Sequence, residues 1–536
     1  MRSLPTPHRA PSPNDIFTDY VSPLLSLSDR RAIISFEQWS SELDPYFEVT
    51  KIAEASFGEV YRLTVKSAMP NSPSESVLKI MAMRSPPDAP LPSNRDEGKR
   101  TRRKADAVQE KKREKAAREE KDQWKSYVDQ IQSEVQLLQN LNPIPGFTNF
   151  RELTVLKGRP SLSFSNAWRT WNRSRPRSKK SVFPDPSKKT SYDDTQLWAV
   201  VEMQDAGTDC ERLMERGGIS TIWEVWDVFW GVCLSVAKAE EGCRFEHRDL
   251  HLENVCIRSS QSIDDISSPV VKNPLKRKLG FTSLETTVID YTLSRADIIN
   301  TAEPHIRRPG SSSSLSSRCS SLSRSSSDEE SFPGPSVAYF DLNKDVSIFS
   351  ADASEEYQYE IYRYMRSIAF YDDPTVQVED PLSNDKNDIE ELEEYSFETP
   401  RCSPRKNPRK IPRKTSEGRG GSEPPKDIWK QFHPKTNLVW IHFILYKLLQ
   451  HINDNLPSAI DTVRLIKNVN IDASSASVAS LVHKKAVKLE RILQRVANRI
   501  EPCVLGKPEC LGSVGELVVL AIQKGWVDMG DVVGSG

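Results

Sequence analysis

"FEHRDLHLENVCI", residues 245–257, decides how this chain is to be read. Glu246, His247, Arg248, Asp249, His251, Glu253 and Asn254 crowd between Phe245 and Val255-Cys256-Ile257, apolar ends that look about to enter a core. An aspartate, an asparagine shortly after it, a short strand, and a second strand ending in "VIDY" would let a hairpin converge Asp249, Asn254 and Asp290. Carboxylate and amide oxygens held together suit a hard cation and a phosphate.

Two competing readings of the stretch are a histidine metal pair at His247 and His251, and a buried polar loop without chemistry. The pair has the i, i+4 spacing, but Arg248-Asp249 between them supplies no zincin glutamate. The spacing of histidine, arginine, aspartate and asparagine instead matches the protein-kinase catalytic loop H-R-D-x-x-x-x-N. The remaining kinase parts appear in the required order. Lys79 sits on an otherwise apolar strand, "SVLKIMAM", residues 76–83, where an ammonium is costly to bury unless paired. Glu134 lies about 60 degrees from Ile131 on a helical wheel, on the apolar face with Val135 and Leu138. Each supplies the other's missing partner, as in the strand-lysine to helix-glutamate pair of kinases. "IAEASFGEV", residues 52–60, occupies the place of a glycine-rich loop, with Ala53, Ala55 and Gly58 at the template's glycine positions and Val60 after them. Alanine lacks glycine's freedom at positive φ, which predicts weakened nucleotide affinity.

Composition bounds the rest. Only 37% of the 536 residues are hydrophobic, and 36 prolines outnumber 22 glycines, so ordered lobes separated by disordered inserts are expected. The formal charge of −1 gives the whole molecule no electrostatic preference for nucleic acid or membrane. Eight cysteines without CxxC spacing point to reduced thiols in cytosol or nucleus. No apolar run reaches the roughly 18 residues that cross a bilayer, and the proline-rich start does not read as a signal peptide. A soluble intracellular protein is expected.

Along the chain, residues 1–34 read as a disordered lead, 85–125 as a charged insert and 169–195 as a basic surface insert. Polar or low-complexity inserts are expected at about 259–285, 300–336 and 371–427. "LWAVVEM", residues 197–203, is a buried strand, and the long helix after it carries Trp223, Trp226, Trp230, Cys233 and Ala237 on one face, a core stripe. Helical patterns close the chain.

Taken together the motifs resemble the haspin family of atypical protein kinases, which phosphorylate a threonine near the start of the histone H3 tail. The likeness rests on "FEHRDLHLENV", on "VIDYTLSR" with Asp-Tyr-Thr replacing Asp-Phe-Gly, and on "EEYQYEIYRYM", and covers roughly residues 35 to 465. It implies an α+β, two-lobed protein-kinase-like fold with a small β-rich N-lobe (35–203) and a larger helical C-lobe (204–536). It implies ATP and Mg²⁺ as cofactors. Lys79 would bind the phosphates and Glu134 position it; Arg248 belongs to the catalytic loop, Asp249 would accept the substrate proton, and Asn254 and Asp290 would hold Mg²⁺. Met203, Gln204, Asp205, Ala206 and Gly207 would form the adenine-reading hinge. Asp209 and Glu211 would face the basic histone tail. The family's Trp-Gly is here Leu252-Glu253, beside Asn254. Thr292, being β-branched, resists positive φ after Asp290, which predicts a fixed Asp290 and a kinase active without activation-loop phosphorylation.

The resemblance further implies the histone H3 tail and chromatin as partners, a role in mitotic chromosome function, nuclear and in part cytoplasmic localisation, a monomer, and no membrane. Basic clusters at 99–118, 173–180 and 405–414 either touch nucleic acid, serve nuclear import, or are solvated insert charge. A pseudokinase scaffold, favoured by Ala53 and Ala55, and a small-molecule kinase of the aminoglycoside or choline type stand as alternatives.

Overall fold

The computed structural model describes residues 16–55, 57–66, 75–87, 113, 115–259, 266, 269–299, 336–344, 346–378, 427–467, 469–470 and 476–533. It opens with α1 (Ile16–Tyr20), α2 (Ser22–Leu27) and β1 (Ile33–Ser35), which corrects the expectation of a disordered lead for residues 16–34; residues 1–15 of that expectation lie outside the described residues. Val21 and Leu24 are fully buried, and α2 packs against the helix that carries Glu134. Two turns this short, rich in serine and proline, give periodicity nothing to register.

α3 (Phe36–Leu43) starts where the Ser35 hydroxyl accepts a hydrogen bond from the amide of Gln38. There follow β2 (Phe47–Ala55), β3 (Gly58–Val65), β4 (Ser76–Ala82), α4 (Val128–Leu141), β5 (Phe150–Lys157), α5 (Leu162–Ser174) and β6 (Leu197–Gln204). The six strands order as β1-β5-β6-β4-β3-β2, antiparallel except for the β1–β5 pair. Alternation along β4 sorts its side chains between two cores. Leu78, Ile80 and Ala82 join Phe36, Trp39 and Phe164 from α3 and α5, while Met81 joins Ile131 and Val135 from α4. Lys79 shares the parity of Met81 and is delivered to α4.

The basic stretch 169–195 is only partly surface. Its first residues complete α5, and Phe183 and Tyr192 are buried. The Lys51 ammonium, paired with Glu54 and Glu59, lies 4.7 Å from the Trp171 ring centroid and 5.8 Å from that of Phe183, tying this stretch to the β2–β3 hairpin. Of the charged insert 85–125, residues 88–112 and 114 lie outside the described residues; Asp122 and Lys125 are buried and paired at 2.9 Å.

The larger half begins with β7 (Thr208–Asp209), α6 (Cys210–Glu215) and α7 (Ile222–Cys243). α7 starts with a capping box, the amide of Thr221 donating to Glu224 at 2.8 Å, and ends at Arg244 in the left-handed region. Trp223, Trp226 and Trp230 are fully buried. β8 (Val255–Ser259) pairs antiparallel with β7 on one side and β10 (Leu284–Val288) on the other, the expected hairpin. Between them β9 (Val271–Lys272) and the buried Val271 and Phe281 correct the reading of about 259–285 as a polar insert for its second half, while residues 260–265 and 267–268 lie outside the described residues. β11 (Arg295–Ile298) pairs with β12 (Ser336–Tyr339), and α8 (Gln358–Tyr371), α9 (Lys435–His451), α10 (Ala476–Arg499) and α11 (Val514–Gln523) complete the helical mass. The expected inserts at 300–336 and 371–427 lie outside the described residues for 300–335 and 379–426. Among the described residues no helix is long and apolar enough to cross a membrane. This is an α+β architecture with a β-rich N-terminal sheet and a helical C-terminal region, the arrangement of a kinase-like fold.

Candidate active site

β4 and α4 bring Lys79 and Glu134 together: the ammonium lies 2.5 Å from Glu134 Oε1 and 3.6 Å from Asp290 Oδ1. Burial works against the charge on Lys79, but the two carboxylates outweigh it and hold its pKa above the ordinary lysine value. Burial likewise opposes ionisation of Asp290, yet Lys79 and hydrogen bonds from Thr292 hold its carboxyl down at about 2. The Thr292 hydroxyl donates to Asp290 Oδ1 at 2.6 Å and its amide to the same atom at 3.2 Å. The expected restraint on Asp290 therefore takes another form. The left-handed residue is Asp290 itself, with φ at +59°, and the hydroxyl of Thr292 is what fixes its carboxylate.

Asp249 is carried by the loop between α7 and β8. The backbone carbonyl of Asp249 accepts from Asn254 Nδ2 at 2.7 Å, which closes the loop on itself and orients the amide. His247 is fully buried, its Nε2–H donating to the carbonyl of Ile289 at 3.0 Å and its Nδ1 accepting from the Asp249 amide at 3.3 Å. Burial depresses it to about 4, so the ring is a neutral strut between the Asp249 loop and the strand leading to Asp290. Burial pushes the Asp249 carboxyl up to about 6, against the lowering effects of His251 and of a hydrogen bond from Tyr362. Such a group is poised to change protonation near neutrality.

Arg248 does not point at this chemistry. Its side chain is fully buried, 3.1 Å from Glu246 Oε2, and donates to the carbonyl of Trp429 at 2.7 Å. Arg248 takes φ at +67°, the turn that sends the guanidinium inward while Asp249 faces out. The catalytic placement of Arg248 is thus corrected to a structural one. Glu246 also accepts from the amide of His433 at 2.7 Å and from the Thr436 hydroxyl at 3.0 Å, and Asn437 accepts from the His247 amide at 3.0 Å. The segment leading into α9 and the catalytic loop form one buried polar network.

Past a register irregularity between Lys51 and Ala53, β2 continues to Ala55 as strand, with Ala53 opposite Val60, Val60 opposite Lys79, and Ala55 opposite Gly58. Neither alanine takes a positive φ, so the expected conformational conflict does not arise. Met203 and Gln204, expected at the hinge, end β6. Asp205 pairs with Arg62 of β3 at 2.6 Å and accepts from the Gly207 amide at 2.9 Å, bracing the crossing through Ala206. Gly207, at φ +99°, admits no side chain, since a Cβ would lie 2.3 Å from the Ile257 carbonyl oxygen. Asp209 is spent on capping α6, accepting from the Arg212 amide at 2.7 Å. Glu211 has its pKa raised, first by burial and then by the charges of Glu253 and Glu356, with Lys447 and His251 acting against them. A groove of about 580 Å³ lies behind the hinge, lined by 142–149 and 204–206, and none of Lys79, Asp249, Asn254 or Asp290 lines it.

A family model described as a haspin-like kinase domain matches residues 12–492. The chain belongs to the haspin-like kinase family. It is similar to the serine/threonine-protein kinase haspin homolog of Drosophila melanogaster, 23% identical over 343 residues, which are 63% of this chain and 42% of that protein. It is 24% identical over 348 residues to the haspin homolog hrk1 of Schizosaccharomyces pombe, covering 62% and 49% of the two chains, and 22% identical over 261 residues to haspin of Bos taurus, covering 49% and 21%. The chain spans less than half the length of these relatives. Membership in a kinase family implies ATP, generally with a divalent metal. The haspin-like site fits such an ion: Asp290 is an ionised carboxylate, and Asn254, whose nitrogen is tied to the Asp249 carbonyl, has its side-chain oxygen left as a hard donor.

Sequence reasoning missed Tyr362 of α8, whose hydroxyl donates to Asp249 Oδ1 at 2.5 Å. The tyrosine-rich stretch is conspicuous, but no periodicity ties one tyrosine of a helix to a loop 113 residues away.

Proposed function

We propose that the chain is an ATP-dependent protein serine/threonine kinase that transfers the γ-phosphoryl of Mg-ATP to a threonine in the histone H3 N-terminal tail, acting on chromatin in the nucleus during mitosis. The observation that carries this reading is Lys79 held between Glu134 and Asp290 at 2.5 and 3.6 Å. Lys79 places a fixed positive charge for the α- and β-phosphates, with Glu134 keeping it in position. Asp290 and the Asn254 oxygen would hold the magnesium ion, which supplies charge neutralisation on the transferring phosphoryl. The Asp249 carboxylate accepts the proton of the substrate hydroxyl as the hydroxyl oxygen attacks phosphorus. Burial and the charges of Glu253 and Glu356 converge on Glu211, so the rim beyond the hinge favours a cationic tail such as that of a histone.

The internal ion pair between Arg248 and Glu246 supports activity without phosphorylation of the activation segment: the arginine already has its anion. Incubation of the monomeric chain with Mg-ATP and an unmodified histone H3 tail peptide, with phosphothreonine quantified by mass spectrometry, tests the proposal. Incorporation abolished by Asp249→Asn is expected. Equal incorporation by wild type and Asp249→Asn overturns it, and nucleotide binding with no transfer selects a pseudokinase scaffold.

A further inference from the structure

Resting on the kinase reading above, we propose that Tyr362 is a positioning residue for the base: its phenol holds one oxygen of Asp249 so that the other faces the substrate hydroxyl. Three contacts fix the phenol. Its ring meets Trp440 of α9 edge-on, with centroids 5.1 Å apart. Gln358, one turn earlier on α8, donates to the phenol oxygen at 3.3 Å. That leaves the phenol proton a single direction, and it donates to Asp249 Oδ1 at 2.5 Å. The same Oδ1 is the atom approached by His251 Nε2, at 3.7 Å. Oδ2 of Asp249 carries neither contact, so the two carboxylate oxygens are already differentiated before any substrate arrives.

The chemistry follows from the type of donor. Burial and the neighbouring Asp249 push the Tyr362 phenol well above its ordinary value, so it remains protonated throughout the working range. A cation at this point would orient Asp249 but also depress its basicity, whereas a neutral phenol adds no net charge. During transfer the substrate hydroxyl proton passes to Oδ2 while its oxygen bonds to phosphorus and the bond to the leaving diphosphate breaks. Tyr362 keeps its own proton.

The test uses the full chain labelled with carbonyl-carbon-13 aspartate. The Asp249 resonance is identified by its loss in Asp249→Asn, and its chemical shift is read by NMR at one fixed pH. Tyr362→Phe preserves the ring against Trp440 and removes only the donor. The Asp249 resonance is expected to move in Tyr362→Phe, because one of its oxygens loses a hydrogen bond. With a basic tail peptide, kcat is expected to fall about tenfold with KM for ATP unchanged, and Gln358→Leu to shift both readouts in the same direction but less. An unmoved resonance in Tyr362→Phe overturns the proposal, as does an unchanged kcat at an unchanged melting temperature. If the resonance moves but the wild type phosphorylates no peptide, the kinase reading is what fails, and the contact between Tyr362 and Asp249 stands as a structural one.

Discussion

The ammonium of Lys79 lies 2.5 Å from the carboxylate of Glu134, both groups buried, at the join between the sheet and α4. A buried pair of this kind costs desolvation on both sides, and breaking it from one side only leaves an unpaired charge. Lys79→Met strands Glu134 and Asp290 together and is expected to destabilise the chain by about 3–5 kcal/mol as well as to abolish transfer. The double variant Lys79→Met/Glu134→Leu should regain most of that stability while remaining inactive. Chemical denaturation of the four members of the cycle checks this; additivity of the two single losses would refute the coupling.

The Arg248 guanidinium is already paired with Glu246 at 3.1 Å, both groups fully buried. Treatment with a phosphatase is therefore expected to leave more than half of the kinase activity, on the principle that a satisfied guanidinium gains nothing further from a phosphate. Arg248→Met should instead lower the melting temperature, since Glu246 stays fully buried without its partner and the carbonyl of Trp429 loses its donor. Loss of most activity on phosphatase treatment alone would contradict this account.

The pH dependence follows from Asp249, whose carboxyl is raised to about 6 by burial. A base must be deprotonated to accept a proton, so activity is present above that value and lost as pH falls through it. Asp290, held down at about 2, stays ionised across the same window and contributes no limb. A plot of log kcat/KM against pH for a peptide substrate should turn down with unit slope near pH 6. A flat profile between pH 5 and about 7 would remove Asp249 from the role of base.

How much of this was legible in the sequence depends on the range over which each signal acts. Asp249, Asn254 and Asp290 were readable because two short paired strands, β8 and β10, lead from one to the other, and Lys79 and Glu134 because each breaks an apolar face whose period is visible locally. Arg248 was misjudged because the loop's spacing says nothing of which way a side chain turns, and its direction is set by a left-handed φ and by the distant Trp429. Thr292 stands out for its β-branch, but its effect runs through its hydroxyl. The packing of Val21 and Leu24, and of Phe183 and Tyr192, escaped detection because single apolar residues among prolines, serines and lysines order only when a preformed sheet and helix offer them a surface.

At the acidic rim, the structure changes which residue to mutate. Asp209 caps α6 through its hydrogen bond to the Arg212 amide, and asparagine caps nearly as well, so Asp209→Asn should leave the fold intact and change KM for a basic peptide little. Glu211 is the group on which burial and the charges of Glu253 and Glu356 converge. Removing Glu211, or the Glu356 charge that acts on it, takes negative charge from this rim and weakens attraction for a cationic tail. Glu211→Gln and Glu356→Gln are each expected to raise KM for an arginine-containing tail peptide about threefold to tenfold at low salt, with kcat little changed, and the difference from wild type should shrink as ionic strength rises. Steady-state kinetics at two salt concentrations check this. A larger KM effect from Asp209→Asn than from either glutamate, or an effect that does not respond to salt, would place tail recognition elsewhere on the C-terminal half.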